Sequence, residues 1–71
     1  MNNKGRLLLN KDLYDKAVIL SAIQQYHELA LIQVHEKGNH WECIFSDCKY
    51  DIQITMKEFE NYVINIINAR V

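Results

Sequence analysis

ALIQVHEKGNHWECIFSDCKYDIQIT, residues 30–55, decides the fold. Lys37-Gly38-Asn39 separates two runs rich in β-branched and aromatic side chains, which is a hairpin signal. Two loop lengths differ in what they place face to face. A two-residue loop at Gly38 and Asn39 sets Ile32 opposite Phe45, Val34 opposite Cys43 and Glu36 opposite Trp41. A loop that also takes in Lys37 sets Val34 opposite Glu42. A one-residue slip would send one strand's apolar set to water, so the two-residue loop is predicted. The same test at Asp47-Cys48 pairs Phe45 with Tyr50, Cys43 with Ile52 and Trp41 with Ile54.

Residues 30–55 therefore read as three antiparallel strands. The inner face carries Ile32, Val34, Trp41, Cys43, Phe45, Tyr50, Ile52 and Ile54. Aromatic and β-branched pairs across such strands contribute roughly 0.2–1 kcal/mol each beyond alanine pairs. The outer face carries Leu31, Gln33, His35, Glu42, Ile44, Asp51 and Gln53, mostly polar, and is expected to meet water.

On the N-terminal side, residues 1–5 are polar and expected to be disordered. Leu7, Leu8 and Leu9 suggest a first strand whose alternation cannot be read. Asp12 and Asp15 are both candidate N-caps, because a short carboxylate accepts from the free N–H groups of a first helical turn. In the helix that follows, to about His27, Val18, Ile19, Ala22, Ile23 and Tyr26 form one apolar stripe. On the C-terminal side, Thr55-Met56-Lys57-Glu58 has the form of a capping box. The final helix then sets Met56, Phe59, Tyr62, Val63, Ile66 and Ile67 on one face.

The predicted fold is α+β, in the order β-α-β-β-β-α. A three- to four-stranded, mainly antiparallel sheet has both helices packed on one face. If the first strand joins beside residues 30–36, a right-handed crossover makes it parallel. The 71 residues form one domain, and a chain this short buries only about 60% of its unfolded surface. A second copy or a larger partner would add buried area.

The net charge is −1, and lysines and arginines are spread among matching acids. That argues against a phosphate-backbone footprint and leaves a nucleic-acid regulator as a weaker alternative, beside a self-associating structural protein. No run of about 18 apolar residues is present, so no membrane span is expected. A three-leucine run is too short for a signal-peptide core, and a cytoplasmic protein with reduced thiols is predicted.

His35, His40, Cys43 and Cys48 have ligand chemistry, but the spacing H-x4-H-x2-C-x4-C fits no common zinc module. In the predicted register His35 points outward, Cys43 inward, and Cys48 sits in a turn. No metal or other cofactor is expected. Strand between the two cysteines would hold their Cα atoms beyond the roughly 7 Å a disulfide spans. Asp47 beside Cys48 would raise the thiol pKa, so no nucleophile is expected. Nor does the chain carry a phosphate-loop or nucleophile-elbow motif. Asn61, Asn65 and Asn68 form a polar stripe on the last helix. Asparagine is a weak helix former, so the stripe reads either as a contact face or as loosely constrained surface.

Phe59-Glu60-Asn61-Tyr62-Val63-Ile64-Asn65, with Arg70 five residues on, resembles the closing F-x-N-x-L-L-N…R signature of HxsD-like proteins. These small proteins are encoded with His-Xaa-Ser peptide-maturation systems, beside radical SAM enzymes. Leu13-Tyr14 before a helix containing Ala17 and Ala22, then a hairpin, then a closing helix, extends the resemblance over most of residues 7–70. Ile66 stands where the family often has an acidic residue, and the aromatic near the end of the first helix is shifted to Tyr26. The resemblance implies a non-enzymatic accessory of ribosomal-peptide maturation that presents a precursor peptide or binds a radical SAM partner. No cofactor comes with it, since the chain has no cluster-binding cysteine motif. The expected contact residues are Asn61, Asn65 and Arg70, with Gln33, His35, Glu42 and Ile44 on the outer sheet face. An open sheet edge is a second way to take up an extended peptide.

Overall fold

A computed structural model describes residues 4–69. The order is β1 (Gly5–Asn10), α1 (Lys16–Gln25), β2 (Leu31–Lys37), β3 (His40–Ser46) and α2 (Ile52–Ala69). The fold is α+β, with one three-stranded antiparallel sheet. The hairpin has the predicted register: Ile32 faces Phe45, Val34 faces Cys43 and Glu36 faces Trp41. Gly38 takes φ +57°, while Asn39 does not enter the left-handed region, as in a type II′ turn.

The sheet order is β1-β3-β2, so β3 is central and β1 lies beside it. This corrects the expected parallel placement of the first strand next to residues 30–36. β1 runs antiparallel to β3, with Leu7 opposite Cys43 and Leu9 opposite Trp41. Residues 49–54, expected as a further strand, are instead a loop and the first turn of α2. Local chemistry explains the change. Asp47 at φ 50° turns the chain out of the sheet, a backbone region that aspartate tolerates better than most residues. The Asp51 carboxylate then accepts from the Ile54 N–H at 3.0 Å. Its carbonyl accepts from the Thr55 N–H at 2.9 Å and the Thr55 hydroxyl at 2.8 Å. Asp51 therefore starts the helix, four residues before the expected Thr55 cap. Tyr50 and Ile54 are exposed rather than on the inner face, and Ile52 is half-buried at the helix start.

At α1 the cap is Asp15, which accepts from the Ala17 N–H at 3.1 Å. Asp12 lies in the preceding turn, its N–H donating to the Asn10 side chain at 2.8 Å. Gly5, within the segment expected to be disordered, is the first residue of β1, and residues 1–3 lie outside the described part.

Both helices cover the inner face. Leu9, Val18, Ile19, Ala22, Ile32, Cys43, Phe45, Phe59 and Val63 are buried there. Phe59 joins the layers: its ring meets Phe45 edge-on at 5.2 Å and Tyr26 edge-on at 5.4 Å. α2 lies under β1 and β3, and it approaches β1 closely at Gly5. A Cβ there would stand 2.6 Å from the Met56 sulfur.

The turn also fixes which backbone groups are free. A two-residue hairpin loop makes Lys37 and His40 a hydrogen-bonded pair, and such pairs alternate along an antiparallel ladder. Trp41, Cys43 and Phe45 then bond to Leu9, Leu7 and Gly5. The Lys11 N–H continues this phase by donating to the Asn39 carbonyl at 2.9 Å. The N–H and C=O groups of Arg6 and Leu8 and the Asn10 N–H therefore point to the open edge, while the Asn10 carbonyl accepts from the Leu13 and Tyr14 N–H groups at 3.1 and 3.0 Å.

Phe59→Ala should cost about 3–5 kcal/mol and leave the chain largely unfolded, as read by urea denaturation. Gly5→Ala should cost about 1 kcal/mol by crowding Met56, although alanine outside the α2 contact would suit a strand better. Equal or greater stability of that variant would contradict the close β1–α2 approach.

Candidate partner-binding surface

The helices leave the other face of the sheet uncovered. Alternation along the strands places Arg6, Leu8 and Asn10 of β1 on it, with Glu42 and Ile44 of β3 and Leu31, Gln33, His35 and Lys37 of β2. The registers arrange them in rows. Ile44 stands between Arg6 and Gln33, and Glu42 stands between Leu8 and His35. Gln33, His35, Glu42 and Ile44, the four sheet residues expected as contacts, therefore form one patch. Leu8 and Leu31 flank it at 43% and 52% exposure.

Glu42 is the electrostatic centre of the patch. It accepts from the Arg6 guanidinium on one diagonal and lies 3.6 Å from the Lys37 ammonium on the other. Its side chain retains 17% exposure. Removal from water would raise its pKa, but the Arg6 hydrogen bond and the Lys37 charge outweigh that. The carboxyl is held below its usual range. Two cations and one carboxylate leave the patch amphipathic, not strongly basic.

Asn61 and Asn65 are exposed on α2, about half a helical turn from buried Phe59 and Val63. They point away from the sheet and do not join the patch. Arg70 lies outside the described residues. Sequence reasoning missed Arg6, Leu8 and Lys37. The only signal for the first two was their spacing across Leu7, legible once β1 is known to pair with β3.

Around Trp41 the polar groups are engaged internally. The Trp41 indole N–H donates to the Tyr14 carbonyl at 3.1 Å. Lys11 and Lys16 stand 4.9 and 5.4 Å from its ring centroid. Lys11 also pairs with Glu36, whose carboxyl it holds low. Cys43 and Cys48 are free thiols. Burial, then Asp47, pushes the Cys48 thiol up, opposite to what a nucleophile needs. Among the described residues, no three His, Cys, Asp or Glu side chains converge on a metal-sized site.

Cys43 is fully buried, and burial pushes its thiol from 9.0 to about 11. The folded state thus binds the thiol proton more tightly than the unfolded chain. Its contribution to stability is complete below pH 9 and is lost as pH rises towards about 11. Urea midpoints should fall over this range more steeply for the wild type than for Cys43→Ala. Tyr14 and Tyr26, raised mainly by burial, act in the same direction in both proteins. Parallel pH profiles for the two would contradict the assignment.

No family model, curated protein or solved structure matches this chain.

Proposed function

We propose that this protein is a non-enzymatic binding accessory of ribosomal-peptide maturation. In this reading it engages a precursor peptide or a radical SAM partner through the outer face of its sheet, in the cytoplasm. The observation that carries the reading is the patch itself. Half-buried Ile44 and exposed Leu8 and Leu31 surround a carboxylate held between two cations, on a sheet face that neither helix covers. Apolar groups ringed by satisfied charges fit a protein or peptide surface. Glu42 neutralises much of the Arg6 and Lys37 charge, which favours that class of partner over a nucleic-acid backbone. The resemblance of Phe59, Asn61 and Asn65 to the HxsD-like signature supplies the class of partner. Among the described residues, no helix is long and apolar enough to cross a membrane.

The test is a tagged pull-down from the native cell under reducing conditions, read by mass spectrometry. The wild type should recover a radical SAM enzyme or a short precursor peptide. Ile44→Asp with Leu31→Asp should weaken that capture at least about tenfold while leaving the fold intact. A clean wild-type bait, or recovery of nucleic acid and its usual proteins alone, would overturn the reading.

A further inference from the structure

The geometry points to a second copy of this chain as the occupant of the β1 edge, the two sheets joining into one six-stranded antiparallel sheet. Natural edge strands are usually blunted by proline, a bulge or an inward-pointing charge. β1 has none of these. Its six residues pair with β3 in continuous register, and its inward positions are Gly5, Leu7 and Leu9. Arg6 and Leu8 present unpaired N–H and C=O groups along it, and Asn10 its N–H, the Asn10 carbonyl being taken by the Leu13 and Tyr14 N–H groups.

The space beside this edge selects the occupant. Between β1 and α2 runs an open groove of about 560 Å³, lined by Arg6, Leu7, Met56, Lys57 and Glu60 among others. A lone peptide strand would pair with the backbone but leave this flank of α2 in water. A second copy brings its own α2. Neighbouring strands are about 4.8 Å apart, and α2 lies under both β1 and β3. Continuing the sheet across β1 therefore brings the two α2 helices to about 10 Å, the distance at which helices pack. The groove becomes their interface.

Charge agrees with this arrangement. A two-fold axis perpendicular to the sheet near Leu7 and Leu8 runs the two helices antiparallel, an isologous contact. Lys57 and Glu60 sit one helical turn apart on the groove flank, and neither makes an ion pair among the described residues. Antiparallel apposition sets each Lys57 against the partner's Glu60, twice over. The outer-face patches of the two copies would then lie on one continuous surface. This inference stands whether or not the outer face binds the partner proposed above.

Sedimentation velocity of the full chain, from micromolar to millimolar concentration, should show a reversible monomer–dimer equilibrium. Amide exchange at Arg6, Leu8 and Asn10 should slow as the dimer forms. Lys57→Glu and Glu60→Lys should each weaken association about tenfold by setting like charges together at two symmetric points, and the double swap should restore it. Circular dichroism checks that each variant folds. A strict monomer throughout would overturn the proposal. So would a dimer indifferent to the single charge swaps, one that the double swap does not recover, or one whose exchange protection falls on β2 instead.

Discussion

The antiparallel register between Gly5–Asn10 and His40–Ser46 is the constraint on which the rest of the molecule depends. It makes β3 the central strand, with a cross-strand neighbour on both sides of each of its inward residues. Cys43 meets Leu7 on one side and Val34 on the other, and Trp41 meets Leu9 and Glu36. Because β1 and β2 occupy both sides of β3, residues 49–54 cannot pair with it. They satisfy their backbone by helix formation under Asp51 instead. α2 is thereby long enough to run beneath both strands, and Phe59 reaches Phe45 and Tyr26 at once. The strand order leaves one face of the sheet and the outer edges of β1 and β2 open.

Much of this was legible in the sequence, and the misses have physical causes. Gly38 flanked by alternating side chains fixed the hairpin, since only one register kept Ile32, Val34, Cys43 and Phe45 on one face. The stripes of α1 and α2 were long enough to show a 3.6-residue period. Tyr50, Ile52 and Ile54 were not: over five residues, period 2 and period 3.6 give similar patterns. Asp51 as an N-cap separates the two, because it explains the following Ile54 and Thr55 N–H groups as well. Leu7-Leu8-Leu9 hid its own alternation, as three like residues carry none. The pairing with β3 assigns Leu7 and Leu9 to the core and Leu8 to solvent.

The contact residues divide along the same line. Gln33, His35, Glu42 and Ile44 followed from alternation within a correctly registered hairpin, and they sit together. Asn61 and Asn65 were identified by a stripe and a motif, neither of which carries information about distance to the sheet. They lie on the solvent side of the helical layer. The Arg6–Glu42–Lys37 arrangement spans three strands, so it was invisible until the strand order was known. Glu42 would otherwise read as a lone acid; held between two cations it makes an amphipathic patch of an otherwise ordinary polar face.

Nuclear Overhauser contacts between α-protons test the central constraint most directly, because they report strand pairing without reference to any partner. The account predicts close Hα–Hα contacts between Arg6 and Ile44 and between Leu8 and Glu42, the non-hydrogen-bonded pairs of the β1–β3 ladder. Residues 52–54 should show the sequential contacts of a helix. Cross-strand contacts from residues 50–54 to β3, or parallel contacts between β1 and β2, would contradict it and remove both the open edge and the arrangement of the outer face.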